Sequence, residues 1–294
     1  MSGSGKLLRT CFALTVLFLG MPAMGQTTVT PERSGIQIDG EYGPWLPPNI
    51  AVQEYAHKGD LLTNVMHIFM ALLFVGWGIF FLFCLVRFRA RPGHKANPSP
   101  IKGKISKGVE IGVAIFEAAL LIGISFPVWA SVKEDLPLDK NPVHVRVIAE
   151  QFQWNFHYPG PDGKFGKTAP QFVDTATNPV GIDRGDPDGE DDFSIGEFHI
   201  PVNRPVIAQI GTKDVIHSFF VPVLRVKQDA IPGMRIPMWF EAGQTGNYEV
   251  ACAQLCGNNH YSMRAVMVVE SQEAFDEWVA EKSKPAEIFN EDDL

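Results

Sequence analysis

Two long, almost uninterrupted apolar runs, Leu61 to Val86 and Gly108 to Ala130, dominate the first half of the sequence. Each exceeds the roughly 20 residues that carry a helix across about 30 Å of hydrocarbon. In lipid, a lone segment satisfies its own backbone N–H and C=O groups only as a helix. The connection from Arg87 to Lys107 carries Arg87, Arg89, Arg91, Lys95, Lys102, Lys104 and Lys107 and no acid. An excess of Lys and Arg in a short loop marks the cytoplasmic side, so residues 61–130 read as a two-helix transmembrane hairpin with both flanks outside. Two buried helices of a soluble protein would leave that charge asymmetry unexplained.

The start agrees with export. Lys6 and Arg9 precede an apolar stretch from Cys11 to Gly20, and Ala23-Met24-Gly25 offers a small-residue cleavage site. This is the pattern of a signal peptide over residues 1–25, too short for an anchor helix. Residues 26–60 then form an extracytoplasmic segment before the first span, with His57 and His67 read as interfacial groups rather than ligands.

After Glu134 the pattern changes to short runs of β type separated by Pro, Gly and Asn. Val143, Val145 and Val147 alternate with His144 and Arg146. Further strands are expected over Gln151 to Tyr158, Pro205 to Gly211, Val215 to Val221, Gly246 to Cys252 and Met263 to Glu270. Many short strands with turn signals imply an all-β sandwich or Greek-key barrel over residues 131–270. Residues 159–196 are rich in Gly, Pro and Asp and show no hydrophobic period, the mark of a long acidic surface insertion. Residues 271–294 form a tail in which Phe275, Trp278 and Val279 share one face of a short helix. The net charge of −8 excludes a nucleic-acid partner, which needs a basic face, and favours a basic protein partner.

The chemistry concentrates in Cys252-Ala253-Gln254-Leu255-Cys256-Gly257-Asn258-Asn259-His260-Tyr261-Ser262-Met263. Two thiols, an imidazole and a thioether in one short loop are the soft and borderline ligands that copper selects. Zinc is disfavoured by the Met and by the lack of further Cys or His nearby. A Cys-x-x-x-Cys pair alone suits a disulfide as well as a metal, but His260 and Met263 at this spacing turn the reading to metal. A single thiolate would build a mononuclear blue-copper site. Two can bridge a pair of coppers, and each copper then needs a histidine. His217, in Asp214-Val215-Ile216-His217-Ser218-Phe219, is the best second candidate.

The run Asp214 to Pro222, the run Val226-Lys227-Gln228-Asp229-Ala230-Ile231-Pro232-Gly233 and the Cys252 to Met263 loop closely resemble cytochrome c oxidase subunit II. The resemblance extends from the first apolar run to the last strand. It implies a two-helix hairpin followed by an extracytoplasmic cupredoxin-like Greek-key domain. It also implies a binuclear Cu A centre held by His217, Cys252, Cys256, His260 and Met263, with the Gln254 carbonyl as a further weak ligand. The expected partners are haem-copper subunit I, subunit III and an external donor such as cytochrome c, in a bacterial-type inner membrane. Glu110, near the cytoplasmic start of the second span, matches the family's acid at the mouth of a proton channel.

Several positions depart from the family pattern. Gln254 replaces an acid that helps hold a Mg or Mn ion at the subunit I boundary, and its neutral side chain counts against that ion. Phe152 stands where the family places the Trp that receives the electron, and Trp154 matches a later, packed aromatic. Glu117, two turns deeper than Glu110, stands where the family has Pro. No Cys-x-x-Cys-His occurs, so the donor is expected to be a separate protein. The complete copper set counts against a quinol-oxidase subunit, and eight histidines do not supply the catalytic domain of a nitrous oxide reductase. A copper-bearing small subunit of a nitric oxide reductase remains the alternative, because the distinction lies in the partner's active site.

Overall fold

The first apolar run forms α1 (Glu54–Arg87), 34 residues long. At 1.5 Å per residue this is about 50 Å, more than a hydrocarbon layer requires. The surplus lies at its start, seven residues before the expected Leu61, where α1 is tied to the β domain. The Tyr55 hydroxyl donates to the Trp239 carbonyl at 2.6 Å, and Arg225 pairs with Asp60 at 2.6 Å. His57 and His67 contact the backbone carbonyls of Ala51 and Thr63. The computed structural model describes residues 46–93, 95, 103–134 and 136–284. The signal-peptide reading, most of the 26–60 segment and the last ten residues of the tail lie outside them.

The second run forms α2 (Lys104–Leu120), a π turn at Leu121–Ser125 and α3 (Phe126–Glu134), one continuous apolar rod. Pro127 has no N–H to give the preceding turn and its ring crowds a carbonyl there, and the widened turn lies just before it. Phe69 of α1 meets Phe116 of α2 with ring centroids 4.5 Å apart. Elsewhere the rods expose Phe74, Trp77, Phe80 and Phe81. Such a continuous apolar surface needs lipid or a membrane partner to cover it.

The rest of the chain builds a sandwich of ten strands: β1 (Val143–Glu150), β2 (Gln153–Tyr158), β3 (Phe193–Ile195), β4 (Phe198–Pro201), β5 (Val206–Thr212), β6 (His217–Val221), β7 (Val226–Ala230), β8 (Ile236–Phe240), β9 (Gly246–Cys252) and β10 (Arg264–Glu270). One sheet has the order β3-β2-β1-β5-β8 and the other β4-β10-β9-β6-β7. Along β1 the alternation is strict: Val143, Val145, Val147 and Ala149 face the core, while His144, Arg146, Ile148 and Glu150 face outward and are half-buried. β1 runs parallel to β5, Val143 opposite Val206, and antiparallel to β2, Val147 opposite Phe156.

Aromatic rings fill the space between the sheets. Phe156 stacks on Phe198 at 4.7 Å, and Phe219 meets Trp154, Phe198 and Phe240 edge-on or stacked. Each such burial stabilises by about 1.5–3 kcal/mol. The tail closes one end as α4 (Gln272–Lys282), capped by the Ser271 hydroxyl, which accepts from the Ala274 N–H at 3.2 Å. Phe275 is buried as expected, and Trp278 stacks on His199 at 4.1 Å.

The acidic insertion differs from the loop the sequence suggests. Ile182 and Asp192 are buried, and its last residues, Phe193–Ile195, are β3, paired with β2. Polar ties replace the missing hydrophobic period. The Asp192 carboxylate takes His157 Nε2 at 2.6 Å and the Gly166 N–H at 3.0 Å, and the Arg146 guanidinium lies 4.0 Å from the Phe165 ring. The insertion thereby covers the outer face of β1 and β2.

Candidate metal centre

Adjacent strands of one sheet deliver the donor groups. His217 opens β6 and Cys252 closes β9, and pairing of Phe219 with Cys252 sets them side by side. The chain then loops through Cys256 and a 3-10 turn (His260–Ser262) before Met263 leads into β10. The loop is pinned at its ends: the Cys252 N–H donates to the Met263 carbonyl at 3.2 Å and the Ala253 N–H to the Ser218 carbonyl at 2.9 Å. Gly257, at φ +140°, lets the loop pass close to Phe152; a Cβ there would meet the Phe152 ring and the Gln151 amide at 2.8 Å.

Every donor expected from the sequence arrives at one place. The ligating atoms of His217, Cys252 and Cys256 lie within 4.8 Å of one another. The two sulfurs are 3.8 Å apart, far beyond a disulfide bond, and both thiols are free. His217 Nδ1 stands 3.9 Å from the Cys252 sulfur and 3.2 Å from the Met263 sulfur. His260 Nδ1 is 3.6 Å from the Cys256 sulfur, which is also 3.8 Å from Met263. The Cys252 thiol donates to the Gln254 carbonyl at 3.2 Å. The inner side is closed, with His217, Cys256 and Met263 buried, and the outer side is open, with Gln254, Leu255 and Tyr261 exposed. Burial, and after it the Cys252 thiol alongside, push the Cys256 thiol up to about 11. Binding a soft metal there must displace protons.

Asp214, to which sequence alone assigns no role, positions His217. Its Oδ1 accepts from His217 Nε2 at 2.9 Å, which fixes the tautomer and leaves the Nδ1 lone pair facing the sulfurs. Oδ2 accepts the Gln151 N–H at 2.7 Å. Burial would raise the Asp214 carboxyl, but His217 and then the Gln151 and Val215 N–H groups outweigh it and hold it below the ordinary range. An acid three residues before a candidate ligand, with a turn between, was the available signal. Gln151 contributes again through its side-chain amide, which donates to the Cys256 carbonyl at 2.6 Å.

The remaining candidates are separate from this cluster. Trp154 is buried in the core with its ring 6.3 Å from that of His217, whereas Phe152 is half-buried against the loop at Gly257. Glu110 lies on an exposed face of α2, reached by the Ser106 hydroxyl at 3.4 Å, and Glu117 is exposed further along the same helix.

A two-sheet β domain with a Cys, Cys, His and Met loop at one end, joined to a pair of membrane-length helices, is the architecture of a membrane-tethered cupredoxin-like subunit. Residues 143–271 match the family of the cytochrome c oxidase subunit II periplasmic domain. The chain is 31% identical over 243 residues to the alternative cytochrome c oxidase subunit 2 of Bradyrhizobium diazoefficiens, covering 82% of this chain and 85% of that one. It is 30% identical to cytochrome c oxidase subunit 2 of Synechocystis, covering 80% and 77%. Among solved structures it is similar to the periplasmic domain of subunit II of cytochrome oxidase from Bradyrhizobium japonicum, at 29% identity and a TM-score of 0.36 over 48% of this chain and 92% of that one. The chain belongs to the cytochrome c oxidase subunit II family. It is thus a subunit of an oxidoreductase of the haem-copper oxidase class, a membrane protein with an extracytoplasmic domain and a family capacity for copper.

Proposed function

We propose that this subunit accepts electrons from an external protein donor at a binuclear copper centre and passes them to a haem-copper subunit I. The convergence of two thiols, two imidazole Nδ1 atoms and a thioether carries the reading, because that donor set fits copper and offers a histidine beside each sulfur. When bound, a copper pair would supply a one-electron centre whose change of charge is shared between two metals. Cys252, Cys256, His217 and His260 would hold the metal, with Met263 and the Gln254 carbonyl as further donors.

The chain's own residues do the rest. Asp214 holds the His217 ring in one tautomer, and the buried inner wall keeps water from the Cys256 and Met263 sulfurs. Phe152, packed on Gly257 next to Cys256, would take the donor's electron into the loop; its packing against the loop supports this reading. Exposed Leu255 and Tyr261 in the loop, with Val215 and Ile216 before His217, give apolar surface for protein partners. The two helices cross the membrane with the residue 87–107 connection in the cytoplasm, and Glu110 collects protons at that end. The neutral Gln254 offers the subunit I boundary no carboxylate for Mg or Mn.

The test is reduction of the purified oxidase by a reduced c-type cytochrome in single-turnover experiments. Wild type should take up electrons at the copper absorption before the haems. In Cys256→Ser that first phase should vanish, with haem reduction falling to the rate of direct donation. An unchanged first phase in the variant would overturn the assignment.

A further inference from the structure

Between the outer face of β1 and β5, the insertion and the turn joining β7 to β8 lies a cavity of about 310 Å³, lined by none of the metal centre's donor residues. Arg146 and Arg235 stand on its wall with Lys213, His157, Thr168 and Gln209. Arg146 is half-buried, and its Nε, shut off from bulk water, has no hydrogen-bond partner among the described residues. Its Nη1 reaches only the Gly166 carbonyl, at 3.4 Å. His157 is wholly buried and its Nδ1 is likewise without a partner. Buried polar groups are rarely left so unless an ordered water or ligand completes them.

The charges on this wall do not balance. Lys213 is neutralised by Glu150. The Asp192 carboxylate, held by His157 and the Gly166 N–H, is a single negative charge acting on Arg146 against the two positive charges of Arg146 and Arg235. Neither Arg146 nor Arg235 forms an ion pair among the described residues, yet they are close enough that, after burial, the charge of Arg235 is the next cause pushing Arg146 down to about 10. Arg146 remains charged at neutral pH. Two such guanidinium groups beside a cavity call for an anion.

We propose that the cavity binds a phosphate group, free or carried on a small phosphomonoester, between the guanidinium groups of Arg146 and Arg235. Guanidinium forks match phosphate oxygens and bind them in pairs. Thr168 and Gln209, both able to donate hydrogen bonds, line the same space. The volume equals about ten waters at roughly 30 Å³ each, room for a phosphate with a small organic substituent. The insertion, which supplies Thr168 and covers β1, is then the lid of a binding site.

The test is calorimetric titration of the purified intact oxidase with inorganic phosphate and, separately, glycerol 3-phosphate at low ionic strength. A saturable site is expected in wild type, weakened about tenfold by Arg235→Gln, the loss of one charge-assisted contact. Arg235 is exposed, so that substitution leaves folding intact; Lys282→Gln, an exposed cation elsewhere, should leave affinity unchanged. Tighter binding of glycerol 3-phosphate identifies a phosphomonoester, and equal or weaker binding identifies free phosphate. Absence of saturation by either probe up to about 10 mM, indifference to Arg235→Gln, or equal weakening by Lys282→Gln would overturn the proposal.

Discussion

Replacing Asp214 with alanine removes the acceptor that holds His217 Nε2 at 2.9 Å and, with it, the preference for the tautomer whose Nδ1 faces the sulfurs. Losing such a partner of a metal-binding histidine typically costs 10–100-fold in metal affinity. The Asp214 side chain is 32% exposed, so water can take over part of its role. The lower end therefore applies, about tenfold, or ~1.4 kcal/mol. Asp214→Asn keeps an oxygen for His217 and should lose less. Copper affinity is read by competition against a chromophoric chelator on the purified oxidase. Unchanged affinity in Asp214→Ala would refute the positioning role. Complete copper loss from a folded Asp214→Ala would also refute it, by making the carboxylate itself a ligand.

Other outcomes follow from the same geometry. Gly257→Ala forces a Cβ to 2.8 Å from Phe152 at φ +140°; strain of about 1–3 kcal/mol should lower Tm, and an unchanged Tm would show that the loop yields freely. Glu150 is pushed up by burial but pulled lower by Lys213, Gln153 and Asn155, so its folded pKa lies below the ordinary 4.5. Its contribution is complete above that value and lost as pH falls through the lowered one. The Tm deficit of Glu150→Gln should therefore shrink in acid, and a deficit constant from neutral to acid pH contradicts this. Glu110→Gln should slow turnover while copper reduction by the donor keeps its rate; wild-type turnover across the pH range would make Glu110 a solvated surface acid.

The hairpin and the metal loop were legible because their signals are local. A membrane run is contiguous, and five of the donor groups fall between Cys252 and Met263, with His217 beside a turn. β1, β2, β5, β6, β9 and β10 were legible for a similar reason, since their buried residues alternate or cluster. β7 and β8 were not: β7 reads Val-Lys-Gln-Asp-Ala, buried only at its ends, and β8 carries Pro237, which cannot donate to a ladder. β3, at three residues, is too short to show a period. The insertion escaped because polar pairs, His157 with Asp192 and Arg146 with Phe165, hold it where a hydrophobic stripe would have announced itself. Asp214 likewise acts through a hydrogen bond that only the β5–β6 turn creates.

In the proposed function, Cys252 and Cys256 join two coppers into one electron-sharing centre. Electron paramagnetic resonance of the oxidised complex, with copper quantified per chain, tests it most directly. A multi-line hyperfine pattern from one electron spread over two copper nuclei is expected, lost in Cys252→Ser and in Cys256→Ser alike. A wild-type spectrum of an ordinary single copper, at one copper per chain in this domain, would contradict it.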